Sequence, residues 1–78
     1  MLIRRPAERN KIMLSMTIGV NVKKYREQKG LSQEKLAYKS NLSVATISKI
    51  ERGLTNPTAD VIESIARALD VPVLWLVA

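Results

Sequence analysis

The 78-residue sequence contains no cysteine and no histidine. Without cysteine the chain can form neither disulfide bonds nor thiolate metal sites. Histidine is the commonest general base and a frequent zinc ligand, so the chain lacks the residue that most often serves in base catalysis and in zinc sites. The seven carboxylates are not grouped with a plausible nucleophile. The sequence therefore predicts that the protein is not an enzyme and that it needs no metal and no cofactor.

Phenylalanine is also absent, and Trp75, Tyr25 and Tyr38 are the only aromatic residues. We therefore expect an aliphatic core within one small domain. No apolar run approaches the roughly 20 residues that span a bilayer. The first residues, Met-Leu-Ile-Arg-Arg-Pro, lack the apolar segment of a signal peptide. These absences predict a cytoplasmic protein without a membrane partner.

Positive charge is concentrated in the first two thirds of the chain. Residues 1–53 carry 12 Lys and Arg against 4 Asp and Glu, whereas residues 54–78 carry 1 against 3. Such segregation indicates a polyanionic partner, such as nucleic acid, for the basic part. Simple solubility is the alternative, because many small proteins are basic.

Hydrophobic periodicity predicts an all-helical chain. The first convincing helix runs from about Thr17 to Lys29, and two short helices follow between Leu31 and Gly53. The strongest amphipathic pattern comes after Asn56 and Pro57, and a last short apolar helix is expected with Pro72 in its first turn. Residues 1–16 are expected to form a basic arm, either a flexible tail, a fraying extension of the first helix or a start-codon artefact. A basic arm that follows a DNA groove is the alternative to a disordered end.

The stretch from Leu31 to Gly53 reads as two short helices joined by a tight turn. Ser32 and Ser43 are suitable N-caps, because their hydroxyls can accept from free backbone N–H groups. Asn41 tolerates the left-handed conformation that ends a helix. The apolar edges of the two helices are Leu36, Ala37, Ile47 and Ile50. Since so few apolar residues cannot stabilise an isolated pair, the other helices are expected to support it.

Four segments of the chain form a recognisable series: GLSQEKLA at 30–37, SVATISKIERG at 43–53, NPT at 56–58 and ARALDVP at 66–72. In this order and at this spacing they closely resemble the motifs of the Cro/C1-type, or xenobiotic-response-element, helix-turn-helix family. The resemblance covers about residues 17–77. It implies a compact five-helix, lambda-repressor-like DNA-binding domain over residues 17–78, with the helix-turn-helix at helices 2 and 3 and a C-terminal dimerisation helix.

The resemblance also implies roles for individual residues. In this family the third helix enters the major groove of double-stranded DNA, and its first residues meet base edges. The implied base-reading residues are Ser43, Val44, Ala45, Ser48 and Lys49. The implied phosphate contacts are Gln33, Thr46, Arg52 and Asn56. Arg26 and Glu51 are expected to form an internal ion pair that joins the first and third helices, a structural role outside the DNA site.

Leu74 and Trp75 stand where the family often has polar residues. We interpret them as a homodimer interface, with Trp75 covering the core of a monomer as the alternative. The resemblance implies a sequence-specific transcriptional regulator that binds a palindromic operator as a homodimer, like a phage-type repressor or a restriction–modification controller. The alternative function is an antitoxin or adaptor whose main partner is another protein. No small-molecule ligand is evident from the sequence.

Overall fold

The computed structural model describes residues 6–78, apart from the side chains of residues 6 and 8. Over this range the chain forms five α-helices and no strand. The all-helical, five-helix expectation is therefore confirmed. The helices are α1 (Pro6–Gln28), α2 (Gln33–Ser40), α3 (Val44–Glu51), α4 (Ala59–Leu69) and α5 (Val73–Val77).

Helix α1 is eleven residues longer at its N-terminus than the sequence predicted. The expected start at about Thr17 is wrong, because the helix already begins at Pro6. Proline suits this first turn, where its missing N–H would have no intrahelical partner anyway. Of the basic residues expected in the arm, Arg9 and Lys11 lie on this helix, whereas Arg4 and Arg5 lie outside the described residues.

Side-chain caps and left-handed residues set the helix ends. The hydroxyls of Ser32, Ser43 and Thr58 accept from backbone N–H groups at the starts of α2, α3 and α4. Asn41 ends α2 with φ of 57°, the left-handed conformation expected of it. Asp70 ends α4 in the same way, which the sequence analysis had not anticipated. The turn between α2 and α3 therefore has the expected cap on each side.

The core is aliphatic and lies where all five helices meet. Helix α1 packs against α3 and α5, while α2 packs against α3 and α4. Tyr25, Leu31 and Leu42 lie at its margin. The buried apolar residues are Ile18, Val22, Leu36, Ala37, Ile47, Ile50, Ile65, Ala66, Leu69 and Leu76. This packing supplies the support that α2 and α3 need.

A glycine allows α1 and α3 to approach closely. A Cβ atom on Gly19 would overlap the carbonyl oxygen of Ile50 and lie 2.9 Å from that of Glu51. The backbone of α1 therefore lies directly against the last turn of α3. In the described part of the chain, no helix is long and apolar enough to cross a membrane.

Candidate nucleic-acid interface

Helix α3 has one buried face and one exposed face. Ile47 and Ile50 are fully buried, and they anchor the helix to the core. Val44 is 40% exposed, so it lies outside the core, and Ala45 and Lys49 are also exposed. Ser48, another expected base reader, is only half-buried at the edge of this face. The exposed side of α3 thus offers a short surface with methyl groups, a hydroxyl and one ammonium.

The start of α3 is organised by hydrogen bonds between Ser43 and Thr46. The Ser43 Oγ atom accepts from the backbone N–H of Thr46 at 3.0 Å. The two hydroxyl oxygens lie 2.8 Å apart, and either can donate. If Thr46 donates, the Ser43 proton is free for an external acceptor; if Ser43 donates, the Thr46 proton is free. One hydroxyl donor therefore remains at the helix N-terminus in both arrangements.

Arg26 of α1 forms a bidentate ion pair with Glu51 at the end of α3. Its Nε donates to Oε2 at 2.6 Å, and its Nη2 donates to Oε1 at 3.0 Å. The third guanidinium nitrogen donates to the carbonyl oxygen of Leu31 at 2.8 Å, just before α2. The hydrogen bond to Glu51 raises the pKa of Arg26 above its ordinary value, against the opposing effect of burial. The pair therefore joins α1 to α3 and to the start of α2.

Gln33 belongs to the same network, which the sequence analysis did not anticipate. Its Nε2 donates to the Oε1 atom of Glu51 at 3.0 Å. The Glu51 carboxylate thus accepts from two helices, and its side chain is only 3% exposed. Because an amide nitrogen carries two protons, Gln33 keeps one for another acceptor. Gln33 can therefore still donate to a phosphate, as expected, but the hydrogen bond that the structure shows is to Glu51.

Arg52 and Asn56 lie just beyond α3. Both are exposed, and Arg52 is the residue that ends the helix. Ser15 of α1 has its Oγ atom 3.4 Å from the Oδ1 atom of Asn56, across 41 residues of sequence. Sequence reasoning missed Ser15 because it fell in the expected arm. Continuing the apolar period of Ile18 and Val22 by one turn would have placed it on the core face.

The two residues expected at the homodimer interface, Leu74 and Trp75, lie on α5. Leu74 is 66% exposed and Trp75 is 51% exposed. Trp75 packs its ring against Tyr25 of α1, with centroids 5.6 Å apart and planes tilted by 32°. Asn21 of α1 donates to the carbonyl oxygens of Leu76 and Ala78 at 3.0 and 3.1 Å. Helix α5 is therefore held on α1 while leaving apolar surface uncovered.

Comparison with known proteins identifies close relatives of this sequence. It is 39% identical over 62 residues to the immunity repressor protein of Bacillus phage phi105, an alignment that spans 80% of this chain and 43% of the repressor. It is 42% identical over 57 residues to the HTH-type transcriptional regulator SinR of Bacillus subtilis, spanning 72% of this chain and 51% of SinR. The chain thus spans about half the length of these relatives.

A solved structure matches the fold over most of both chains. The restriction–modification controller protein C.AhdI from Aeromonas hydrophila superimposes with a TM-score of 0.77 and 35% identity, covering 80% of this chain and 94% of that one. The sequence pattern of the helix-turn-helix family matches residues 22–76, which contain the last seven residues of α1 and all of α2, α3 and α4. The chain therefore belongs to the Cro/C1-type helix-turn-helix family.

Proposed function

We propose that this protein is a sequence-specific transcriptional regulator that binds double-stranded operator DNA through α3. The observation that carries the proposal is the two-sided character of this helix: Ile47 and Ile50 fix one side, and Val44, Ala45 and Lys49 project from the other. An α-helix with its side chains is about 10–12 Å in diameter, which fits the major groove of B-DNA, about 12 Å wide.

The proposed base readers have chemistry suited to base edges. Lys49 can donate to O6 and N7 of guanine, and the Val44 and Ala45 side chains can contact a thymine methyl. When the Thr46 hydroxyl donates to Ser43, the hydroxyl proton of Ser43 is available to donate to a base. Ser48 completes the proposed set, at the edge of the same face. Because this face contains no Arg, Asn or Gln, DNA shape is expected to add to its specificity.

The proposed phosphate contacts surround this face. Thr46 lies in the first turn of α3, where the helix dipole favours an anion. Gln33 lies at the start of α2, and Arg52 and Asn56 follow α3. Such contacts position the protein on the duplex without carrying sequence information directly. A cytoplasmic location accompanies this proposal, because the target is cellular DNA.

The proposed active form is a homodimer that pairs through α5. The support is the uncovered apolar surface of Leu74 and Trp75 on α5. A two-fold axis through this surface would present two copies of α3 to a palindromic site, with half-sites about 34 Å apart. The same surface supports a second candidate function, an antitoxin or adaptor that contacts another protein through α5.

Selection from random DNA duplexes tests the DNA-binding proposal. Wild-type protein is expected to enrich a palindromic sequence. Lys49→Ala is expected to relax the preference at one base pair per half-site, a loss of about 1–3 kcal/mol of discrimination. Arg52→Ala is the matched control, since it is expected to weaken binding to all sequences alike. Binding without any preferred sequence would contradict the proposal.

Sedimentation equilibrium tests the proposed dimer. Wild-type protein is expected to be dimeric at tens of micromolar, and Trp75→Ala and Leu74→Ala are expected to shift it towards monomer. Tyr38→Ala is the control, because Tyr38 is a large exposed aromatic residue on α2, away from α5 in sequence. A wild-type monomer at these concentrations contradicts homodimer formation, and favours the adaptor only if another protein is found on α5.

A further inference from the structure

A shallow cleft separates the N-terminal half of α1 from the loop that joins α3 to α4. We call it the α1–loop cleft. Its polar lining consists of Lys11 and Ser15 from α1 and of Thr55 and Asn56 from the loop. No carboxylate is among the described residues that line it. It exists because α1 extends back past residue 17, and neither the base-reading face nor the α5 surface includes it.

A hydrogen bond ties the two sides of the cleft together. Ser15 is only 6% exposed. Its Oγ atom lies 3.1 Å from the carbonyl oxygen of Lys11 and 3.4 Å from the Oδ1 atom of Asn56. With its oxygen turned towards the Ser15 hydroxyl, the exposed Asn56 amide has its nitrogen left as an outward donor. The single Ser15 proton is shared between these two acceptors, so the longer contact to Asn56 is the weaker one, and it favours the orientation in which the Asn56 nitrogen points outward.

The remaining groups make the cleft suitable for an anion. Lys11 is exposed, and its ammonium supplies a full positive charge and three donors. Thr55 of the loop also lines the cleft, and its side chain carries a neutral hydroxyl donor. Ile12, Gly53 and Leu54 supply the rest of the lining. One cation with neutral donors beside it, and no carboxylate among the described residues that line the cleft, is a combination that can bind a phosphate diester.

We propose that the α1–loop cleft binds one phosphate of the DNA backbone, with Lys11 as the charged ligand and Ser15 as a positioning residue for Asn56. This inference rests on the proposed function, since the phosphate belongs to the duplex whose major groove holds α3. Asn56 follows α3 by five residues. The bound phosphate therefore lies beyond the C-terminal end of α3, and the extended first helix becomes part of the DNA-binding surface.

The charge of Lys11 gives the sharpest test. Binding to the selected duplex is measured over a range of salt concentrations for wild type, Lys11→Gln and Arg67→Gln. Each phosphate neutralised contributes about 0.9 to the slope of log affinity against log salt. Lys11→Gln is expected to reduce this slope by about 0.9 and to weaken selected and random duplexes alike. Arg67→Gln removes the same charge from the last turn of α4 and is expected to leave the slope unchanged.

The positioning role of Ser15 is tested by a double-mutant cycle. Ser15→Ala and Asn56→Ala are each expected to weaken DNA binding by roughly 3- to 10-fold, as the loss of about one hydrogen bond implies. Neither should change the salt slope, because neither side chain is charged. The double variant is expected to bind no more weakly than Asn56→Ala. A residue that merely stabilised the fold would instead give additive losses and would lower the thermal midpoint in step with affinity.

The outcomes separate this inference from the function on which it rests. Wild-type protein without a preferred duplex would refute the proposed function. Preferred binding by the wild type, together with an unchanged slope for Lys11→Gln, would refute only the phosphate site. An equal slope change for Arg67→Gln would also overturn it, because the effect would then reflect net charge rather than this cleft.

Discussion

Replacing Arg26 by alanine is expected to destabilise the fold strongly, because it leaves Glu51 buried without its charged partner. Two of the three donors to the carboxylate come from Arg26, and only the Gln33 amide would remain. The Glu51 side chain is 3% exposed, so water cannot easily replace the guanidinium. The carbonyl oxygen of Leu31 would lose its donor as well.

The size of the effect follows from the cost of an unpaired buried charge. Breaking a buried ion pair from one side costs about 3–5 kcal/mol. A domain of this length has a free energy of unfolding of roughly 4–12 kcal/mol, so the loss is a large fraction of the total. Since 1 kcal/mol shifts the melting temperature of a small domain by about 4–8 °C, Arg26→Ala is expected to lower it by at least about 12 °C.

Urea denaturation of three variants separates this cause from others. Arg67→Ala removes an exposed arginine and is expected to change stability by no more than about 0.5 kcal/mol. The double variant Arg26→Met with Glu51→Leu removes both charges and is expected to be more stable than Arg26→Ala, because no carboxylate is left stranded. An Arg26→Ala protein within about 1 kcal/mol of wild type, or a double variant less stable than the single one, would refute the reasoning.

Two further outcomes are expected. Gly19→Ala should lower the free energy of unfolding, measured in urea, by about 1–3 kcal/mol, because the new methyl group would meet the carbonyl oxygens of Ile50 and Glu51. This loss is expected even though alanine favours the helical conformation over glycine by about 1 kcal/mol. Lys23→Ala on the same helix is the control, and a Gly19→Ala protein more stable than wild type would contradict the close approach of α1 and α3. Glu51 raises the pKa of Arg26, so the stabilisation by the ion pair is fully present below the unfolded-state pKa of Arg26 and is lost only above its folded-state pKa. The difference in free energy of unfolding between wild type and Arg26→Ala should therefore be the same at pH about 7 and about 9. A difference that shrinks at the higher pH would count against the ion pair.

Hydrophobic periodicity was sufficient to predict most of the core but not the start of α1. Ile18, Val22, Leu36, Ile47 and Ile50 are buried as their spacing indicated. Upstream of residue 17, however, the core-facing position at residue 15 is a serine, and the neighbouring methionines are exposed. An apolar stripe cannot be recognised where its members are polar and its apolar neighbours face solvent. The helix there is nonetheless continuous with the predicted one.

In the candidate site, the contacts between residues close in sequence were predictable, whereas two contacts between distant residues were not. The caps at Ser32, Ser43 and Asn41 depend on backbone groups a few residues away, so local sequence predicts them. The bonds from Gln33 to Glu51 and from Ser15 to Asn56 join residues 18 and 41 positions apart. Which polar side chains meet at such distances depends on how the helices pack, and local sequence patterns do not predict that packing.

Helix α1 links the surface proposed to read DNA with the surface proposed to form the dimer. On one side Gly19 and Arg26 hold it against the last turn of α3. On another side Asn21 and Tyr25 hold it against α5. A rigid helix that contacts both elements fixes the position of α3 relative to α5 within one chain. In the proposed homodimer this position sets the separation of the two α3 helices, so loosening α1 from either neighbour should reduce discrimination between half-site spacings even where every base-reading side chain is intact.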